Sequence, residues 1–216
     1  MTIKERYEGC LAYWRAQNPT PETELHYDNP FQLLCAVLLS AQCTDKRINA
    51  VTPALFAAYP TAQAMAAATP EQVLHYVKSV SYPNSKSRHL VAMAQMLTDQ
   101  YGGQVPSTME EMVKLPGVGR KTANVMLGAA FGQPAIAVDT HVFRVSNRIG
   151  LAHGKTPLEV ELALKKHISP QEQSKAHHWI LLHGRYVCKS QRPDCLNCGV
   201  RQWCKTYSLD HKEGKF

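Results

Sequence analysis

Five times in this chain of 216 residues the sequence writes the start of a helix. Asn29-Pro30-Phe31 places an Asn N-cap before a Pro at the first helical position. Apolar residues at Phe31, Leu34, Cys35, Leu38 and Leu39 then mark one helical face. Thr69-Pro70-Glu71-Gln72, Ser107-Thr108-Met109-Glu110, Thr156-Pro157-Leu158-Glu159 and Ser169-Pro170-Gln171-Glu172 share the capping-box pattern. In that pattern a hydroxyl and an acid or amide three residues on satisfy backbone donors that the helix leaves without partners. Strand-like alternation between Gly-rich turns is not evident. The expected fold class is all-α. Breaks fall at Tyr101-Gly102-Gly103, at Leu115-Pro116-Gly117-Val118-Gly119 and at Phe131-Gly132-Gln133-Pro134, with no low-complexity linker and no internal repeat.

A hydrophobic fraction of 44% suits a globular chain with real apolar cores. No run approaches the roughly 18 apolar residues of a membrane span. The start Met1-Thr2-Ile3-Lys4-Glu5-Arg6 lacks the apolar core of a signal peptide, so the expected setting is cytoplasmic. Lys and Arg number 24 against 17 acids, a formal charge of +7. Such a field favours polyanions, nucleic acid above all, although many basic proteins bind none.

Without a secretory leader the seven cysteines are expected to stay reduced. Four of them follow the spacing Cys188-x6-Cys195-x2-Cys198-x5-Cys204, and clustered thiols in a reducing compartment read as metal ligands. Zinc sites usually pair two short knuckles and here there is one Cys-x2-Cys, while iron–sulfur clusters tolerate uneven spacing. Chemistry alone leaves both open. Cys10, Cys35 and Cys43 are scattered and read as small buried apolar residues.

Leu115-Pro116-Gly117-Val118-Gly119-Arg120-Lys121-Thr122-Ala123 lies between helical stretches at 109–114 and 120–131. Pro116 ends the first, and the glycines permit backbone angles that other residues resist. Such a turn opens a helix N-terminus, where free N–H groups and the helix dipole favour an anion. A DNA phosphate fits there without any base being read; so does a tight turn that only joins two helices.

The longer string resembles the helix-hairpin-helix DNA glycosylases. Leu38-Leu39-Ser40-Ala41-Gln42-Cys43-Thr44-Asp45 resembles an early motif of the endonuclease III family. Ala137-Val138-Asp139-Thr140-His141-Val142-Phe143-Arg144-Val145 resembles its catalytic aspartate segment, and His178-Trp179-Ile180-Leu181-Leu182-His183-Gly184-Arg185 leads into the cysteines as in that family. The resemblance runs collinearly from about residue 25 to 205. It implies two helical lobes flanking a DNA cleft. One, at 21–133, is a six-helix barrel with the hairpin; the other, at 1–20 and 134–216, is an iron–sulfur domain.

The resemblance also implies a repair activity on duplex DNA with damaged bases or abasic sites. A bifunctional glycosylase removes oxidised pyrimidines and then cleaves the strand by β-elimination through a lysine Schiff base. Lys121 takes the nucleophile position. Asp139 takes that of the facing carboxylate, although on sequence alone it reads equally as an N-cap. Gly117, Val118, Gly119 and Arg120 form the phosphate-holding hairpin, and Cys188, Cys195, Cys198 and Cys204 match the [4Fe–4S] pattern. Lys189 and Arg192, between the first two cysteines, offer charge to phosphates, with Arg201 and Lys205 nearby. Gln42 and the Tyr82 position enter the duplex when a nucleotide is flipped out. His141 and Arg144 lie in matched motifs, as do Ser40 and Asp45; Asp45 reads equally as an N-cap for 46–56. Of ten histidines only His141 is supported by a motif.

One departure stands out. The family typically shows Gly-aliphatic-Tyr-Asn where this chain has Ser81-Tyr82-Pro83-Asn84. Tyr82 suits a wedge that stacks on bases, and the segment also reads as an ordinary turn before a helix. Three alternatives stay in view: a pyrimidine-dimer glycosylase, an adenine-mismatch glycosylase, and a non-catalytic DNA-binding iron–sulfur protein. Lys121 and the end at Phe216 point away from the adenine branch, which generally lacks that lysine and has a further C-terminal domain. Lys121 together with Asp139 points away from the non-catalytic one. The chain is expected to act as a monomer, at the bacterial nucleoid.

Overall fold

A computed structural model describes residues 1–212, and the described residues form helices and turns without a strand. They divide into two compact units, residues 24–132 and residues 1–23 with 133–216.

The first unit is built around α2 (Pro30–Ser40), which packs against α3 (Asp45–Ala58), α6 (Pro83–Tyr101) and α8 (Arg120–Ala129). The expected one-sided stripe on α2 is in fact a helix buried nearly all round, with Phe31 through Leu39 inside. Its sequence contains no charged residue, so no face has to reach water. Asn29 Oδ1 accepts from Gln32 N at 3.0 Å, the cap that the sequence announces. Around it, α4 (Ala62–Ala66) and α5 (Pro70–Val77) pack on α6, and α7 (Met109–Met112) packs on α8. Leu33, Leu34, Ile48, Leu55, Met93, Leu97 and Met126 are fully buried, each contributing about 1.5–3 kcal/mol relative to exposure.

In the second unit the N-terminal helix α1 (Ile3–Gln17) joins the C-terminal half of the chain. α10 (Pro157–His167), α11 (Gln173–Tyr186) and α12 (Lys205–Lys212) all pack on α9 (Thr140–Ile149). Tyr7, Cys10, Leu11 and Trp14 of α1 share a core with Val142, Val145, Ile149, Trp179 and Ile180. Tyr7 Oη donates to Leu151 O at 2.7 Å, and Trp179 Nε1 donates to Asn18 O at 2.7 Å. Gly9 lets α1 approach the turn at Arg201–Trp203, because a Cβ there would overlap the Trp203 ring.

The capping signals hold with shifts of register. Thr69 and Gln72 make a full capping box, and Thr156 caps α10 while Glu159 reaches back to Lys155 N instead of its own cap. At the next signal Thr108, not Ser107, accepts from Glu111 N. Ser169 caps nothing; a 3-10 turn, Pro170–Glu172, follows it. Thr44, not Asp45, caps α3, accepting from Arg47 N at 3.3 Å, so Asp45 is the first residue inside that helix. Cys10 and Cys35 are buried as expected, whereas Cys43 is half-buried.

Gly117 sits at φ 78°, and a Cβ there would stand 3.0 Å from His89 and from Leu38. Gly117→Ala is therefore expected to destabilise the protein by about 1–3 kcal/mol, read as a lower urea midpoint at unchanged slope. An unchanged midpoint would show that the hairpin backbone is not constrained this way.

Candidate nucleic-acid interface and metal centre

The hairpin turns at 115–119. Val118 is buried and its N–H donates to Leu115 O at 3.0 Å, which closes the turn; Gly117 supplies the positive φ. Gly119 is the N-cap of α8, with extended backbone, no side-chain cap and nothing within 4 Å of where a Cβ would stand. Arg120 and Lys121, the first two residues of α8, are exposed, and the first turn has no acid. Two cations thus sit at the end where the helix dipole is already positive. α3, α5, α7 and α10 follow the opposite rule, with an acid in the first turn. An arrangement that isolated helix physics disfavours suits an anion approaching from outside.

In the other unit Asp139 is the N-cap of α9. Its Oδ1 accepts from Val142 N at 2.7 Å, and the residue is half-buried. The cap holds one carboxylate oxygen and so fixes the direction of the group. His141, the second residue of the helix, is half-buried.

Arg144, from a matched motif, is half-buried and turned to the backbone after α11. Its Nε and Nη2 donate to Cys188 O at 3.2 and 3.0 Å, Nη2 also to Gly184 O at 2.9 Å, and the same nitrogen lies 3.3 Å from His141 Nδ1. Gly184 and Cys188 flank the end of α11, where backbone carbonyls need partners, and the guanidinium supplies them. Arg148, one turn on, does the same for the next stretch, donating to Lys189 O at 2.7 Å and Ser190 O at 3.0 Å. Sequence reading missed Arg148; its signal is the i, i+4 spacing with Arg144 on one face of α9.

Gln42 and Tyr82 form a second pair within the hairpin unit. Both are exposed, and both have left-handed backbone, at φ 56° and 54°. Ser81 Oγ donates to Gln42 O at 2.7 Å, so the two segments touch. Among the described residues the third non-glycine with positive φ is Arg192, exposed in the cysteine loop beside Lys189, which is also exposed. Non-glycine residues in this region concentrate at functional sites, where the surroundings hold the strain. Ser40 is turned to its own helix, donating to Val37 O at 2.8 Å.

Cys188, Cys195, Cys198 and Cys204 line one pocket with Ile149, His183 and Val200, of about 320 Å³ including its open mouth. Among the described residues no three His, Cys, Asp or Glu side chains converge on a point that holds a single metal ion. A lone zinc needs such convergence, with four ligands at about 2.3 Å from one centre. A four-iron cluster takes one thiolate at each iron, so its ligands stand apart around a larger volume. Four thiols lining one pocket are a donor set that an iron–sulfur cluster takes, one to each iron.

Burial works against anionic sulfur at Cys198 and Cys204, and nearby donors work for it. Burial pushes the free Cys198 thiol up to about 11, so a thiolate there calls for compensating positive charge. Arg148 Nη1 lies 3.8 Å from Cys188 Sγ, and Tyr207 N–H points to Cys204 Sγ at 3.5 Å. Cys198 Sγ is 3.5 Å from His183 Nε2, while Trp14 Nε1 donates to His183 Nδ1. Burial lowers His183 and His178 to about 4, and both lie in the core.

Helical fold, open hairpin and four-thiol pocket define a helix-hairpin-helix repair protein, and the family described as HhH-GPD superfamily base excision DNA repair protein matches residues 35–170. Endonuclease III of Rickettsia conorii (strain ATCC VR-613 / Malish 7) is 49% identical over 88% of this chain and 90% of its own. That of Escherichia coli (strain K12) is 44% identical over 90% and 92%. A solved structure of a trapped Endonuclease III–DNA covalent intermediate, an estranged-adenine complex, superposes with a TM-score of 0.92 at 43% identity, covering 98% of this chain and 100% of that one. The chain belongs to the endonuclease III family of base excision DNA repair proteins.

Arg148→Ala removes the donors to Lys189 and Ser190 and is expected to cost about 1–2 kcal/mol and to speed proteolytic cleavage within 189–194. Cleavage as slow as in the wild type would mean that other groups hold this loop.

Proposed function

We infer that this protein is a DNA glycosylase and abasic-site lyase of base excision repair, and we propose that it removes oxidised pyrimidines from duplex DNA through a Schiff base on Lys121. The observation that carries the reading is the exposed Lys121 in the uncapped first turn of α8, beside a hairpin suited to a phosphate. The trapped covalent intermediate formed by a 43% identical relative is the chemistry expected of such an amine. No helix among the described residues is long and apolar enough to cross a membrane. The reading calls for a monomer working at the nucleoid in the cytoplasm.

The chemistry follows from the groups. A nucleotide within the stack hides C1′, so it must first be extruded. Gln42 and Tyr82 enter the gap, while the N–H groups of the hairpin and of the start of α8 hold a phosphate. Lys121 Nζ attacks C1′, the N-glycosidic bond breaks, and the base leaves with its electron pair and takes up a proton. The carboxylate of Asp139, which takes the family's aspartate position, stabilises the positive charge that builds on the sugar. The amine gives up one proton, its lone pair breaks the C1′–O4′ bond as O4′ takes up a proton, and the ring opens to a protonated Schiff base. Removal of a C2′ proton then expels the 3′ phosphate by β-elimination, and water releases Lys121.

Cys188, Cys195, Cys198 and Cys204 would hold a [4Fe–4S] cluster, which supplies cross-linking of the C-terminal loop. Within that loop Lys189 and Arg192 meet DNA phosphates. His141 is half-buried beside Arg144 and serves the same wall of the site.

Borohydride is expected to trap wild-type protein on DNA holding thymine glycol or an abasic site, and not on A opposite 8-oxoguanine or on a pyrimidine dimer. Lys121→Ala should give no adduct; an adduct in that variant moves the nucleophile elsewhere. Asp139→Asn keeps an N-cap and thus the fold, while single-turnover base release falls by about 10²–10⁴-fold. Metal analysis should return about four irons per chain with matching labile sulfide, and a stoichiometric zinc would overturn the cluster.

A further inference from the structure

Lys86 is a buried cation that the chemistry above does not use. It lies in the first turn of α6 and is 5% exposed. Its Nζ donates to Leu39 O at 2.7 Å and to Ala41 O at 2.6 Å, the backbone at the end of α2. Burial pushes the ammonium pKa down, with the nearby Cys43 opposing. An ammonium is costly to bury where an apolar chain of similar length would fill the same volume. The position therefore calls for a reason beyond packing.

That reason lies in what it joins. The carbonyls it holds immediately precede Gln42, and Tyr82 stands four residues before Lys86. Both neighbours are exposed, Tyr82 by 65%, and both have left-handed backbone. Such angles persist in residues with a Cβ only where the surroundings over-determine them. Tyr82 also precedes Pro83, which restricts its backbone further. The bond from Ser81 Oγ to Gln42 O ties the same two segments a second time, at the surface. Three hydrogen bonds thus join the end of α2 to the start of α6, and two of them belong to one side chain.

We propose that Lys86 is a positioning residue that locks these segments into one rigid two-pronged wedge, so that Gln42 and Tyr82 enter the duplex together. The proposal rests on the glycosylase reading above. A wedge already ordered before it meets DNA loses less conformational freedom on insertion than two independently mobile loops.

The test separates duplex opening from chemistry. A duplex carrying a tetrahydrofuran abasic analogue opposite 2-aminopurine is mixed with wild type, Lys86→Met, Lys86→Arg and Ser81→Ala. Fluorescence reports unstacking of the opposite base, anisotropy reports binding, and circular dichroism gives the folded fraction. The opening rate of folded Lys86→Met is expected to fall on the order of a hundredfold, the scale of a misplaced functional group. Lys86→Arg, which can still donate to both carbonyls, recovers most of that loss, and Ser81→Ala slows opening less than Lys86→Met. Opening at the wild-type rate in Lys86→Met overturns the proposal. Should that variant not fold, opening at the wild-type rate in Ser81→Ala overturns it instead. Because the analogue cannot form a Schiff base, failure of borohydride trapping would sink the reading of Lys121 and leave this measurement standing.

Discussion

The unpaired end of a helix is the constraint from which much of this structure follows. Each helix begins with backbone N–H groups that have no partner within it, and a protein made of helices must settle that account many times. Here most starts are closed by a side-chain oxygen from Thr2, Asn29, Thr44, Thr61, Thr69, Thr108, Asp139 or Thr156. α11 continues a 3-10 turn without a side-chain cap, and α8 and α6, which starts from Tyr82, are not closed in this way either. The starts of α8 and α6 belong to the segments that the family resemblance assigns to DNA. An uncapped helix mouth with two cations in its first turn is poorly satisfied alone and well satisfied by a phosphate.

The opposite ends of helices are treated in a complementary way. Arg144 and Arg148 cover carbonyls beyond the end of α11, and Lys86 covers those at the end of α2. Cations that would read from sequence as polyanion ligands thus act as caps for distant backbone. The benefit is geometric. Each of them holds a loop whose exposed residues, Arg192 in one case and Gln42 in the other, take backbone angles that a free loop would rarely keep.

Short-range features were legible and long-range ones were not. Asn29 and Thr69 cap as written, because a cap is a matter of three residues. At Ser107 and Asp45 the pattern named one residue and its neighbour, Thr108 or Thr44, makes the cap. The choice depends on which residue keeps extended backbone as the helix begins, and packing decides that. Asp139 shows two readings that proved compatible: it is an N-cap, and the cap leaves the second carboxylate oxygen free of that bond. Arg144 shows the reverse case, since its motif was legible and its direction was not.

By itself the sequence determined the all-helical class, the hairpin, the cysteine spacing and most helix starts. All of these are set by residues within a few positions of one another, where covalent geometry and local hydrogen bonds leave few choices. Only the tertiary structure decided which cations face inward, which loops adopt left-handed angles and how four thiols surround a single volume. Arg144 meets Cys188 across 44 residues and Lys86 meets Leu39 across 47. Contacts at that separation exist only once the core has brought their helices together, so no local pattern carries them.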